Sequence, residues 1–312
     1  MVEKWTAADV PDQSGRTAIV TGGNSGLGLE AARGLAAAGA DTVLACRNTE
    51  KAAAAARSIL ATAPGATVSV EALDLASLAS VREFVARFEA ERGGLDLLIN
   101  NAGVMASPRR QTVDGFELHL ATNHLGPFAL TGLLLGRMEG REDARVVTVS
   151  SNAHKLGRVN FANLQGERRY FRWNAYAQSK LANVLFALEL ERRLRAAGSA
   201  VKSLAAHPGY AATNLQTAAP PALDRAVFAV TDRLLAQNAE MGALPELYAA
   251  TRPSLDGGLF IGPDGFDQQR GHPKVVRPFP RARSEATAKR LWEVSEELTG
   301  VSYGFGSPIQ AS

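Results

Sequence analysis

Short runs rich in β-branched and aliphatic residues alternate along the chain with Ala/Leu-rich stretches whose apolar positions recur at helical spacing. The runs fall at 17–21, 42–46, 67–72, 95–100, 145–150 and 201–206, with a seventh at 258–261. Helical patterns fill 26–38, 50–62, 78–91, 115–138, 174–197 and, near the end, 284–298. Near-continuous apolar strands are buried on both faces, so the alternation predicts an α/β fold, a doubly wound parallel sheet of about seven strands with helices on both sides. Between 211 and 253 the alternation is interrupted by Ala219-Pro220-Pro221 and two helical stretches, 223–237 and 240–251. Extra structure after a late strand lies at the carboxyl edge where such sheets bind ligands, which makes this segment a candidate substrate cover. A surface insertion without function is the alternative reading.

Composition narrows the class. No Pro/Gly/Ser-rich linker divides the 312 residues, which favours one domain over 1–312. The 34 Lys+Arg nearly balance the 31 Asp+Glu, and the densest basic run, Arg277 to Arg290, reads as a solvated face, so nucleic-acid binding is not indicated. Cys46 is the only cysteine, which rules out an intrachain disulfide, and it follows the apolar Thr42-Val43-Leu44-Ala45, so buried packing is its expected role. The first fifteen residues carry no apolar run, and no segment reaches the roughly 18 apolar residues of a membrane span. A cytoplasmic protein is expected.

Two local patterns carry chemistry. After the first strand, Thr21-Gly22-Gly23-Asn24-Ser25-Gly26-Leu27-Gly28 forms a glycine-rich turn that opens a helix. Glycines there let backbone approach a pyrophosphate, and the helix N-terminus offers free N–H groups and a favourable dipole. Its spacing is G-x-x-x-G-x-G rather than the commoner G-x-G-x-x-G. Further on, Tyr176 and Lys180 are four apart on one helix face, an arrangement expected to lower the phenol pKa toward a range useful for proton transfer. Just past the second strand stand Arg47 and Asn48, where an acid would select the ribose of NAD. A guanidinium suits a 2′-phosphate instead, although a solvated arginine at a strand end is the bland reading. The five histidines show no paired metal spacing, so no metal is expected.

With those residues in view, the chain resembles the short-chain dehydrogenase/reductase family over nearly its whole length. The matching pieces, in family order, are Thr21–Gly28, Asp74-Leu75, Asn100-Asn101-Ala102-Gly103, Asn123, Ser150-Ser151, Tyr176 with Lys180, and His207-Pro208-Gly209 with Thr213. Ala45-Cys46-Arg47-Asn48, Thr122–Gly126 and Ser179–Asn183 are most similar to the retinol-dehydrogenase-like branch, and Ser25–Gly28 also resembles the protochlorophyllide reductases. The resemblance implies a Rossmann fold and a catalytic set of Asn123, Ser151, Tyr176 and Lys180. Gly22, Asn24, Ser25, Gly26, Leu27, Gly28, Arg47, Asn48, Asp74, Leu75, Asn101, Ala102, Gly103, Tyr176, Lys180, Pro208, Gly209 and Thr213 would bind the cofactor, NADP(H) ahead of NAD(H). Ser150 and Ser151 face opposite ways on a strand, and the family pattern selects Ser151. Ser151 and Tyr176 would hold a carbonyl oxygen, Tyr176 would supply the proton, Lys180 would lower its pKa, and Asn123 would hold a water leading to solvent. A small apolar alcohol, aldehyde or ketone is the implied substrate. Dimers or tetramers would form through the helices at 115–138 and 174–197. A C=C reductase and a non-catalytic NADP-sensing protein are the competing readings.

Overall fold

The computed structural model describes residues 4–209 and 238–305. Among these residues eight strands form one sheet: β1 Thr17–Thr21, β2 Asp41–Cys46, β3 Thr67–Ala72, β4 Leu97–Asn100, β5 Arg145–Val149, β6 Lys202–Ala206, β7 Phe260–Pro263 and β8 Pro273–Val276. Their order is β3-β2-β1-β4-β5-β6-β7-β8. β1 to β7 run parallel, whereas β8 pairs antiparallel with β7, Phe260 opposite Val276. β8 is an eighth strand that the hydrophobic pattern did not announce. It spans four residues, begins with proline and carries an exposed Lys274-Val275, so it has neither the length nor the apolar continuity of the central strands.

Strand side chains divide cleanly between the two faces. Val20, Leu44, Ile99, Val147 and Leu204 pack with α1 (Gly26–Ala37) and α2 (Thr49–Thr62) on one side. Ile19, Val43, Leu98 and Val146 face α3 (Leu78–Glu91), α4 (Gly126–Leu134) and α5 (Arg172–Ala196) on the other. The order reverses between β1 and β4, so the loops leaving their carboxyl ends diverge and open a crevice.

The pattern at 115–138 predicts one helix, and the structure corrects this. Gly115, at φ 81°, lies in a turn, and the helix begins only at Leu118, where the Glu117 carboxylate accepts from the N–H groups of His119 (3.0 Å) and Leu120 (2.8 Å). A π-helical turn, Ala121–Leu125, then precedes α4. Pro127 has no N–H to donate to the Asn123 carbonyl, which disfavours a regular α-helix at this point.

The helix expected at 240–251 is present as α6, Ala239–Thr251, capped by Asn238, whose side chain accepts from Met241 N–H at 2.9 Å. Ala243, Leu247 and Ala250 join the core beside α1, so this half of the expected cover belongs to the core. The other half, including 223–237, lies outside the described residues. The last helix, α7 (Glu285–Thr299), places Trp292 5.0 Å from Phe128 and 5.9 Å from Phe186, ring centre to ring centre. Tyr303 donates to the Phe128 carbonyl at 2.6 Å. α7 therefore packs on both helices to which the resemblance assigns a subunit interface.

Candidate active site

At the β1 end of the crevice the glycine turn is fastened to the turn after β4. The Thr21 hydroxyl accepts from Asn101 and Ala102 N–H, both at 3.0 Å, and Asn101 Nδ2 donates back to the Thr21 carbonyl at 2.8 Å. Gly22 has φ 68°, and a Cβ on it would lie 3.1 Å from the Ala102 Cα. A Cβ on Gly28 would collide with Asn101 Nδ2 and the Gly22 carbonyl. These glycines are dictated by backbone closeness, the property a pyrophosphate cradle needs.

Beside this turn lies a cleft of about 430 Å³. Gly22, Asn24, Arg47, Asn48, Asp74, Leu75, Ala102 and Gly103 line it. Ser25, Gly26, Leu27, Gly28 and Asn101 do not; they shape the turn and the start of α1. Asn48 caps α2, its side chain accepting from Lys51 N–H at 2.8 Å. Arg47 is exposed, with no hydrogen-bond or ion-pair partner among the described residues. Lys51, Val104 and Thr122 also line the cleft and were not anticipated. Lys51 had a sequence signal: a second cation one turn into the helix that Asn48 opens. Cys46 is buried, which pushes its thiol up to about 11.

The expected catalytic residues meet at the carboxyl ends of β4 and β5. Ser150 is buried and donates to the Lys180 carbonyl at 2.7 Å, so Ser151 is the serine left for the site. Lys180 is buried and donates from Nζ to the Val149 carbonyl at 3.1 Å, with Nζ 5.9 Å from the centre of the Tyr176 ring. Both Asn123 amide hydrogens are engaged, by the Val104 carbonyl and the Ser179 hydroxyl at 2.9 Å each. Its Oδ1 accepts from Val104 N–H at 2.7 Å and keeps one lone pair. A Cβ on Gly103 would sit 3.1 Å from that oxygen and 3.5 Å from Lys180 Nζ, which brings all three groups together. Any water held by Asn123 has only that lone pair and the backbone to use.

Electrostatics here correct one expectation. Burial holds the Tyr176 phenol above its ordinary value, with the Ser151 hydroxyl pulling it down. Burial lowers Lys180 to about 8, opposed by Glu246 on α6. Glu246 is itself fully buried, neither oxygen has a hydrogen-bond partner among the described residues, and burial raises its pKa well above the carboxylate range. Sequence reading missed Glu246, because an acid in an amphipathic helix reads as solvent-facing.

Gly209 has φ 71° and directs its N–H to His207 Nδ1 at 3.2 Å; Pro208 precedes it on the same turn. Thr213 lies outside the described residues. No group of three or more His, Cys, Asp or Glu among the described residues could hold a metal, and no described helix is long and apolar enough to cross a membrane.

A family model for short chain dehydrogenases matches residues 16–224. Human retinol dehydrogenase 12 is 42% identical over 290 residues, covering 92% of this chain and 87% of the relative. The crystal structure of an uncharacterized protein from Mycobacterium paratuberculosis is similar at TM-score 0.81 and 46% identity, covering 96% of this chain and 99% of that one. A chain described as an NAD(P) dependent gluconate 5-dehydrogenase from Beutenbergia cavernae, with bound NADP, aligns at TM-score 0.62 and 28% identity over 80% of this chain and 95% of its own. Family match, identity and sheet order agree: the chain belongs to the short-chain dehydrogenase family of oxidoreductases.

Proposed function

We propose that the protein interconverts an alcohol and a carbonyl on an apolar substrate, with NADP(H) as cofactor and Tyr176 as general acid and base. The observation that carries this reading is the meeting of Tyr176, Lys180 and Asn123 beside Ser151 at the carboxyl edge, next to a glycine-walled cleft. The cleft supports a dinucleotide: side chains at Gly22 and Gly28 would break the close packing that shapes the turn beside it, and Arg47 in its wall has no partner among the described residues. Arg47 and Lys51 would hold a 2′-phosphate by charge-assisted bonds. For the substrate, the exposed Leu156 (82%) and Phe266 (94%), each next in sequence to a member of the Lys155–Asp267 ion pair, would supply an apolar rim. The human relative carries retinol, an alcohol, in its name.

When bound, the nicotinamide supplies the hydride. Ser151 and Tyr176 hold the substrate oxygen, and the Tyr176 proton moves onto it as negative charge develops. Burial keeps the phenol protonated until the substrate oxygen gains charge, which is the form this step requires. Lys180 keeps two N–H donors free beyond its bond to Val149, and these return a proton to the phenolate.

The test is a panel of aldehydes, ketones, enones and alcohols with purified protein and each cofactor. NADPH-dependent reduction of hydrophobic aldehydes or ketones is expected. Turnover of enones alone would replace this reading with C=C reduction, and tight NADPH binding without any turnover would replace it with a sensor.

A further inference from the structure

Two buried histidines outside the catalytic set, His154 and His207, lie side by side with ring centres 6.5 Å apart, both against Phe260 at 5.2 and 5.0 Å. Their tautomers follow from their neighbours. Phe279 N–H donates to His154 Nε2 at 3.3 Å, so the ring proton is on Nδ1, where it is donated to the Ser151 carbonyl at 2.7 Å. Gly209 N–H donates to His207 Nδ1 at 3.2 Å, so that ring carries its proton on Nε2 and donates it to Gln268 Oε1 at 3.0 Å. A second proton on either ring would set N–H against N–H. Burial acts the same way, lowering His154 and bringing His207 down to about 3.

What these rings hold borders the site. His154 holds the backbone of Ser151, and His207 ties the Pro208-Gly209 turn to the turn Phe266–Gln268 between β7 and β8. That second turn is strained: Asp267 (φ 43°) and Gln268 (φ 59°) are consecutive non-glycine residues in the left-handed region. It is clamped onto the serine segment by Lys155 Nζ to Asp267 Oδ1 at 2.8 Å and by Asn152 Nδ2 to the Gln268 carbonyl at 3.2 Å. A strained turn fastened to residues that flank Ser151 on one side and Pro208-Gly209 on the other points to a constraint on placement.

We propose that His154 and His207 are positioning residues that fix Ser151 and the Pro208-Gly209 turn relative to each other, and that they do so only while both rings are neutral. This rests on the carbonyl-reductase reading for its catalytic consequence. The ionisable groups facing the pair are Lys155, Asp267 and the two rings themselves. Protonating one ring disfavours protonating the other, so the pair fails on the acid side. An unfolded histidine takes its proton near pH ~6.5, so the folded form loses stability as pH falls below that value.

The experiment has two arms. In the first, ¹⁵N NMR of histidine-labelled protein reads both rings between pH ~5 and 8, where an ordinary histidine titrates. The expected result is Nδ1–H on His154, Nε2–H on His207, and no titration of either. The opposite tautomer, or protonation in that range, overturns the proposal, and this arm stands whether or not any substrate is turned over. In the second arm, His154→Ala is expected to lower kcat tenfold or more, by up to ~10²-fold, with the Kd for NADPH nearly unchanged. His154→Asn, which can still donate to the Ser151 carbonyl, should recover most of the loss. Wild-type kcat in His154→Ala, or no recovery in a folded His154→Asn, overturns the positioning role. Absence of turnover in the wild type would defeat the functional reading and leave the tautomer result to decide this one.

Discussion

At the proposed carbonyl end of the site, Tyr176, Lys180 and Asn123 are buried, Lys180 Nζ is held by the Val149 carbonyl, and Asn123 is held by Val104 and Ser179. At the proposed ribose end, Arg47, Asn48 and Lys51 are exposed, and Arg47 has no partner among the described residues. The first region fixes geometry before a ligand arrives, so a substitution there should reach the chemical step. The second offers charge to a ligand without much rigidity, so a substitution there should change affinity and its salt dependence. Burial also raises the Tyr176 phenol and lowers Lys180, whereas solvent screens the exposed charges of the second region.

The largest effect should come from the buried end. Tyr176→Phe is expected to lower kcat by ~10²–10⁴-fold while leaving NADPH affinity within about twofold, because it removes the donor and little else. Steady-state kinetics with a cofactor titration check this, and retention of most activity would remove Tyr176 from the mechanism. Lys180→Ala should damage both quantities.

Next comes the exposed end. Arg47→Ala should weaken NADPH binding by about ten- to a hundredfold, the range of a charge-assisted bond, with NADH binding little changed. Lys51→Ala should act in the same direction and more weakly. Both effects should shrink as salt is raised, since the groups are exposed. Equal affinity of the wild-type protein for NADPH and NADH would break the contrast between the two ends.

A smaller effect tests the apolar rim. In a series of straight-chain aldehydes at fixed NADPH, kcat/KM should rise by about fourfold per added methylene while the chain is being buried, from ~0.8 kcal/mol each. A flat or falling series would point to a polar substrate.

The smallest shift concerns pH. In the proposed mechanism Lys180 must be charged to return a proton, so activity should fall as pH rises through about 8. Glu246 opposes the lowering of Lys180, hence Glu246→Gln should move that alkaline limb to lower pH. A limb that stays in place, read from a kcat/KM profile, would separate Glu246 from the site.

Much of the fold was legible from its periods: β1 is a buried apolar run, β3 is an edge strand written as alternating Val and polar residues, both lie where the pattern put them, and α3 matches residue for residue. β8 was not, since four residues between a proline and a turn carry no period. The π-helical turn at Asn123 escaped because an apolar stretch around Pro127 keeps helical spacing whether or not its backbone bonds are regular. The motif residues of the candidate site were legible as a constellation, which the fold brings together, yet the sign of the Tyr176 shift was not, because it depends on how deeply α5 buries the phenol. Glu246 was invisible for the same reason: a helix read as a cover places its acid in solvent, and α6 lies in the core.

The most direct measurement compares Tyr176→Phe and Arg47→Ala side by side, recording kcat at saturating NADPH and Kd for NADPH in each. The expected result is crossed: Tyr176→Phe loses turnover and keeps affinity, while Arg47→Ala keeps turnover and loses affinity. Both variants changing the same quantity, or neither changing either, would contradict a buried proton-transfer end joined to an exposed phosphate-reading end.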